Sequence, residues 1–391
     1  MPTPRIAPGI AAITPAMVEL RRAIHRQPEL GFEEFATSAR VVNHLREWGY
    51  DVHQGMASTA VVATLRNGKG PTLGLRAELD ALPIDEQSGQ PWASTVPGKM
   101  HACGHDGHTA MLLAAACELA RERHWQGTLH LFFQPAEEGH GGSGAKRMLD
   151  EGVFARFPCD AVYALHNSPG MPLGQFGVLA GARMASTDNV TIVIHGNGGH
   201  GAMPNHAIDP VVVGASLVLA LQTIVSRNVP PSETAIITVG AFLAGDAANV
   251  IPGRAELRLS VRALDANVRH LLRQRIQALA EHHAQSYGAS AEVSFGEGYP
   301  VLVNTPQATQ LAEQVIRDWL GEEGLATGQK PICASDDFAF WLEQVPGCYL
   351  LIGNGEGSGS CEVHNPGYDF NDLALPLGAT FWVRLAQRFL A

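Results

Sequence analysis

The chain has 391 residues, of which 46% are hydrophobic and 17% charged, with a formal net charge of −11. That length exceeds what one hydrophobic core usually fills, so two domains are expected, and the composition is that of a globular rather than a disordered protein. No Lys/Arg-rich block stands out against the acidic balance, so nucleic acid is excluded as the expected partner.

Helices are predicted at 14–27 and 33–49, where Leu20, Ile24, Val41, Val42, Leu45 and Trp48 recur at roughly helical spacing, with a break at Pro28–Gly31. Strand-like runs follow at Ala60–Leu65 and Thr72–Arg76, then a helix near 108–123 and a strand at Thr128–Phe133. The glycines between Gly139 and Gly144 open another helix, and Asp160–Leu165 is again strand-like. Strands alternating with helices predict an α/β domain whose mostly parallel sheet is flanked by helices. From about residue 183 the order changes to strand Asn189–His195, helix Pro210–Arg227, strands Thr234–Leu243 and Glu256–Ala263, helix Val268–Ser286 and strand Ala291–Phe295. This β-α-β-β-α-β order predicts a ferredoxin-like α+β domain. Its first helix is apolar almost all round, from Val211 and Val212 to Leu217 and Leu219. One face would cover the domain's own sheet. The other predicts a subunit interface, with burial against the first domain as the alternative. After Pro300 the alternation resumes, with helices near 306–319 and 335–343, a strand at Cys348–Ile352 and a last helix near 372–390. The expectation is a discontinuous catalytic domain, 1–183 and 298–391, around an inserted lid and dimerisation domain at 184–297.

The six cysteines, at 103, 117, 159, 333, 348 and 361, show no paired spacing and read as free thiols of a reducing compartment. Met1–Ile13, with prolines at 2, 4 and 8 and Arg5 as its one positive charge, reads as neither a secretory signal nor a membrane span. The nearest approach to a span, Pro210–Val225, is interrupted by Ser216, Gln222 and Thr223. A cytoplasmic protein without a membrane partner is expected.

Met100–His108 is the most informative stretch. It sets Cys103 and three histidines in a turn punctuated by Gly104 and Gly107, directly before an apolar helix. Glycines let the turn bend tightly enough for side chains two apart to converge, and Cys with His prefers borderline-soft cations. Other ligand-type groups follow apolar strands: Asp80 after Leu73–Arg76, Glu137 and Glu138 after Phe132–Phe133, His166 at the end of Val162–Leu165, and His364 in a Gly-rich loop after Leu350–Ile352. In open parallel sheets ligands sit beyond the carboxyl ends of strands, so these groups are placed to meet. The adjacent carboxylates point different ways. One is expected to ligate a metal and the other to take a proton from a water that the cation has acidified. A thiol hydrolase with Cys103 as nucleophile is the rival reading, and chelation separates the two. Of the remaining histidines, His101, His108 and His140 are candidates to support the site, while His25, His44, His53, His124, His270, His282 and His283 read as bystanders on surfaces or helices.

These strings resemble a known family, the di-metal amidohydrolases that include hippurate hydrolase, bacterial N-acyl-amino-acid deacylases and plant indole-acetyl-amino-acid hydrolases. The resemblance rests on Ile24–Gly31, Arg76–Pro83, Met100–His108, Gln134–Gly139, Gly198–Pro204, Ala248–Pro252 and His364–Asn371, in order over nearly the whole chain. It implies two divalent metal ions per subunit, drawn from Zn, Mn, Co or Ni, bridged by Cys103 and completed by His105, Glu138, His166 and His364. It further implies Glu137 as general base, Asp80 as the carboxylate that orients a ligand, and His200 as donor to the developing oxyanion. Asn249 and Arg262 would hold the substrate carboxylate. The implied activity is hydrolysis of the amide bond of N-acyl amino acids, with lid closure over the substrate and a homodimer or homotetramer formed through the lid domain. A dipeptidase or carboxypeptidase on the same centre is the alternative. One departure is visible: Glu78 stands where the family usually has Asp, and its longer side chain is expected to alter the pocket floor.

Overall fold

The computed structural model describes residues 6–356 and 361–391, so Pro2, Pro4 and Arg5 of the N-terminal reading lie outside the described residues. In chain order the main elements are α1 (Pro8–Arg26), α2 (Phe35–Glu47), β1 (Asp51–Met56), β2 (Ala60–Asn67), β3 (Thr72–Glu78) and α3 (His105–Arg121). Next come β4 (Gly127–Gln134), α4 (Gly144–Asp150), β5 (Ala161–Ser168), β6 (Phe176–Gly177), β7 (Ser186–His195), α5 (Pro210–Asn228), β8 (Ala235–Leu243) and β9 (Arg254–Ala263). The last are α6 (Ala266–Ser286), β10 (Ser290–Phe295), α7 (Pro306–Leu320), α8 (Phe338–Leu342), β11 (Gly347–Gly353) and α9 (Leu375–Phe389). They divide into two compact units, the first running to Gly181 and resuming over Val303–Lys330 and Asp336–Ala391, the second comprising Ala182–Leu302 and Pro331–Ser335.

In the first unit the described strands form a sheet in the order β1-β2-β4-β3-β5-β11-β6. Its centre, β4-β3-β5-β11, is parallel, and antiparallel strands sit at both margins. The mostly parallel α/β sheet is thus present, with β1 an element that the sequence did not reveal. Asp51-Val-His-Gln-Gly-Met56 lacks an apolar alternation, and the strand exists because it pairs with β2. The apolar runs read as central strands are buried on both faces, as in Val61–Leu65 and Val162–Leu165. Helix α3, buried from Ala110 to Ala116, packs against β3, α1 and α9. Each fully buried leucine there, such as Leu112 and Leu113, contributes about 1.5–3 kcal/mol. The central strands run parallel, so the chain segments that follow Glu78, Gln134, Ser168 and Gly353 all emerge at one edge.

The second unit has the four-stranded order β8-β9-β7-β10, fully antiparallel, with α5 and α6 packed on it. This is the ferredoxin-like arrangement. Val213, Leu217, Leu221 and Ile224 of α5 are buried, whereas Val212 and Leu219 are 53% and 74% exposed. By length and composition alone α5 passes as a membrane-crossing helix, but its buried stripe lies in this unit's core with Ile192, Leu257 and Leu272.

Candidate active site

Asp80, two residues past β3, is buried and makes three bonds that organise the site. The His105 Nδ1–H donates to the Asp80 carbonyl at 2.9 Å and faces its Oδ1 at 3.2 Å, and Oδ2 accepts from the Glu138 amide at 2.9 Å. His105 is the first residue of α3, behind Gly104 at φ 95°. A Cβ on Gly104 would meet Asn167 Oδ1 at 2.2 Å and the Tyr368 hydroxyl at 2.6 Å, so only glycine fits that turn. The fixed Nδ1 leaves Nε2 of His105 facing inward, buried and without a hydrogen-bond partner among the described residues. His166, at the end of β5, is held in the same fashion. Its Nδ1 donates to the Asn167 carbonyl at 2.7 Å, which turns Nε2 to within 3.2 Å of Cys103 Sγ.

Glu137 and Glu138 follow Ala136, which turns the chain at φ 49°. A non-glycine residue there costs roughly 1–3 kcal/mol and must be held by its surroundings. Ala136 N donates to the buried Glu34 carboxylate at 2.9 Å, and its carbonyl accepts from Gly144 N at 3.0 Å. Both carboxylates approach His105 Nε2, Glu137 Oε2 at 3.8 Å and Glu138 Oε1 at 4.0 Å, and Glu138 Oε1 also lies 3.2 Å from His364 Nε2. His364 itself sits at φ 65°, with its amide donating to the Ala102 carbonyl at 2.7 Å.

Two triads result, Cys103–His105–His166 and Cys103–Glu138–His364, each with ligand atoms within 4.8 Å of one another. The Cys103 sulfur belongs to both. Glu137 joins neither thiol triad but groups with His105 and Glu138 and, on its other side, with Asp336 and Asp337. A pair of divalent cations fits this donor set. Burial, reinforced by Glu138 and Glu137, pushes the Cys103 thiol well above its usual range, so in the bare protein it keeps its proton. A dication is the group that displaces such a proton. Burial alone would lower His105, but the hydrogen bond and charge of Asp80, with Glu78 and Glu138, hold it up at about 10. Either form of that ring therefore aims an unmet polar atom into a negative pocket. Burial, followed by the neighbouring His108, keeps His166 well below the usual histidine range and hence in its ligating neutral form.

Behind Glu137 lies a buried network that the sequence pattern does not reveal. Arg76, fully buried on β3, donates to Gln134 at 3.1 Å, to Asp336 at 3.1 Å and to Asp337 at 3.0 Å, and pairs with Glu78. Burial, then Asp336, Glu138 and Asp337, lifts Glu137 well above the usual carboxylate range, with Arg76 opposing. An Arg in an apolar strand followed by Glu at 78, and an Asp-Asp pair opening a short helix, were the available signals. Glu78 spans Arg76 and His108 Nδ1, the latter at 2.9 Å, so its length is used in the core of the first unit. His108 also bonds Asn167 Oδ1 at 2.7 Å, a supporting position, whereas His140 is exposed and His101 is buried with neither ring nitrogen bonded among the described residues. His25 requires correction. Read as a surface or helix bystander, it is fully buried, with Nδ1 2.8 Å from Asp106 and Nε2 3.2 Å from Glu86.

His200, Asn249 and Arg262 belong to the second unit. His200 lies on a two-residue strand paired with Val250–Ile251, and the Asn249 carbonyl accepts from Gly201 N at 2.8 Å, so His200 and Asn249 are neighbours. The His200 Nδ1 accepts from Ala202 N at 3.0 Å, which leaves Nε2–H as a donor. Arg262 on β9 donates to Ser335 Oγ at 2.9 Å.

Residues 74–388 match the model of peptidase family M20/M25/M40. The chain belongs to that family. It is a hydrolase of the amidohydrolase branch, by similarity over nearly its full length to several curated relatives. A hippurate hydrolase of Campylobacter jejuni is 39% identical over 386 residues, covering 98% of this chain and 99% of the relative. An N-acetyl-L-cysteine deacetylase of Bacillus subtilis is 37% identical over 385 residues, covering 98% and 90%. A thermostable carboxypeptidase of Saccharolobus solfataricus is 36% identical over 379 residues, covering 95% of each. Among solved structures, the Bacillus subtilis YXEP protein, described as a dinuclear metal-binding peptidase of the M20 family, superposes with a TM-score of 0.84 at 31% identity, covering 96% of this chain and 98% of that one.

Proposed function

We propose that this M20-family hydrolase cleaves the amide bond of N-acyl amino acids, using two divalent cations held by Cys103, His105, Glu138, His166 and His364. The observation that carries this reading is the pair of triads sharing one buried sulfur, beside a carboxylate that neither triad uses. When bound, the cations polarise the amide carbonyl and lower the pKa of a nearby water. Glu137 takes a proton from the attacking water and hands it to the leaving amine, the task of a general base that then acts as acid. Asp80 fixes the His105 tautomer and the Glu138 backbone together. His200, with Nδ1 engaged, donates from Nε2 to the developing oxyanion, an interaction worth about 3–4 kcal/mol. Asn249 and Arg262 receive the substrate carboxylate.

A thiolate, imidazoles and a carboxylate form a mixed donor set that admits Zn, Mn, Co or Ni. The exposed Val212 and Leu219 on α5 support a homodimer or homotetramer formed through the second unit. Six unpaired cysteines support a cytoplasmic setting. A dipeptidase or carboxypeptidase reading is favoured by the similarity to the Saccharolobus carboxypeptidase. A panel of N-acetyl, N-benzoyl and N-indoleacetyl amino acids run beside dipeptides, with each cation in turn, decides between them. N-acyl turnover that exceeds dipeptide turnover at least tenfold supports the proposal, and the reverse preference replaces it with the peptidase.

A further inference from the structure

The motif around Ile24–Gly31 has no part in the chemistry above, yet residues in and next to it reach into the loops that carry ligands. Arg21 on α1 is fully buried. Its Nη1 lies 2.7 Å from Asp369 Oδ1 and 3.4 Å from Asp106 Oδ2, and its Nε donates to Asp372 Oδ1 at 2.9 Å. Asp106 is the residue directly after His105. Asp369 and Asp372 lie on the segment that follows His364. One guanidinium therefore ties the turn bearing the first triad to the loop bearing the outer ligand of the second. Arg22, stacked 3.6 Å over the Trp92 ring, reinforces the far end through Asp372 at 2.7 Å, and Trp92 Nε1 donates to Asp369 at 3.1 Å.

The two triads depend on this clamp unequally. Cys103, His105 and His166 come from the start of α3 and the end of β5, and Asp80 and the Asn167 carbonyl orient the two rings. Asp106 also keeps a second partner, His25 at 2.8 Å, if Arg21 is removed. His364 has less support. It is half exposed, stands at φ 65°, and belongs to a loop fixed to the ligand turn by its own amide at Ala102 and by the Arg21 carboxylates. A backbone in that conformation persists only where its surroundings over-determine it.

We propose that Arg21 is a positioning residue for the second cation, holding the His364 loop against the Cys103–His105 turn so that Cys103, Glu138 and His364 form one preorganised site. A planar fork that meets three carboxylates does this where a lysine, a single point charge, cannot. This inference rests on the two-cation reading, and the test separates the two. Mn²⁺ is titrated into chelator-stripped protein, followed by calorimetry and elemental analysis, for the wild type, Arg21→Met, Arg21→Lys, Asp369→Asn and Asp372→Asn.

The wild type should take up two ions. Arg21→Met should keep the first at its original affinity and bind the second about 10–100-fold more weakly, the range for losing a residue that orients a ligand. Arg21→Lys should fall between, and Asp369→Asn and Asp372→Asn should each move the second step in the same direction. Excess Mn²⁺ should restore full occupancy to each. A merely structural role would weaken both steps together. Equal weakening of both steps overturns the inference, as does a second step unchanged within about twofold in Arg21→Met and Asp369→Asn. Should Arg21→Met fail to fold, the two aspartate variants, which leave the buried guanidinium in place, carry the same decision. A wild type that takes fewer than two ions overturns the parent reading itself.

Discussion

In the first unit Cys103, His105, Glu137 and His166 are buried, and Nδ1 of His105 and of His166 each has a fixed partner; in the second, His200, on a two-residue strand, and the neighbouring Asn249 are exposed. The contrast follows from what each set must do. Cation ligands have to be dry, close and correctly protonated before an ion arrives, which takes burial and a layer of supporting bonds. Groups proposed to meet the substrate's carbonyl and carboxylate need direction, and the Ala202 bond gives His200 its tautomer. The proposed cation ligands are thus built deeply into the first unit, whereas the groups proposed to meet the substrate in the second stand exposed.

The contrast breaks most completely at Cys103, the atom both triads share. Cys103→Ala should lose at least one ion by elemental analysis and about a thousandfold or more in rate, the loss expected when an organising metal is removed. Retention of full ion content in that variant removes the sulfur from the centre. Next, Glu137→Gln should keep its ions and lose about 10²–10⁴ in rate, the range for a missing general base. An ion-loaded Glu137→Gln with unchanged turnover would transfer that role elsewhere. Asp80→Asn should weaken cation affinity about 10–100-fold, measured by calorimetry, because it alters the partner of His105 Nδ1 and of the Glu138 amide together.

The smallest effect concerns pH. Burial alone would lower His25, but the charge and hydrogen bond of Asp106 and the bond to Glu86 raise it from 6.5 to about 9. A folded-state pKa above the unfolded value means that the stabilisation is fully present below pH 6.5 and is lost as pH rises through about 9. A tenfold change in proton affinity is about 1.4 kcal/mol, so the whole effect is at most about 3.5 kcal/mol. Melting temperatures between pH 7 and 9.5 should fall more steeply for the wild type than for His25→Gln. Parallel slopes would show that His25 does not carry the alkaline loss.

The same contrast explains what was legible in the sequence. Glycine-bounded turns, apolar runs and the β-α-β-β-α-β order are local signals, and they located β3, β4, β5 and the ferredoxin-like unit. Glu137 and Glu138 stood out from a solvated acidic loop because they follow closely on the apolar run that ends in Phe132 and Phe133. What stayed hidden depends on contacts between distant segments. Arg76 with Asp336 and Asp337 joins residues some 260 apart, and Arg21 with Asp369 some 350 apart. His25 read as a bystander because a helical histidine looks the same in sequence whether it faces water or a buried Asp106. Strand β1 was hidden because pairing with β2, not its own pattern, makes it a strand.

On the proposed function, paired cations gathered on Cys103 make this protein a hydrolase of N-acyl amino acids. Protein stripped by chelation and reloaded stepwise with Mn²⁺ or Zn²⁺, with N-benzoylglycine hydrolysis measured at each addition, tests it most directly. Activity absent from the stripped protein and returning fully as the second equivalent binds is the predicted result. Full turnover by the stripped protein would contradict it.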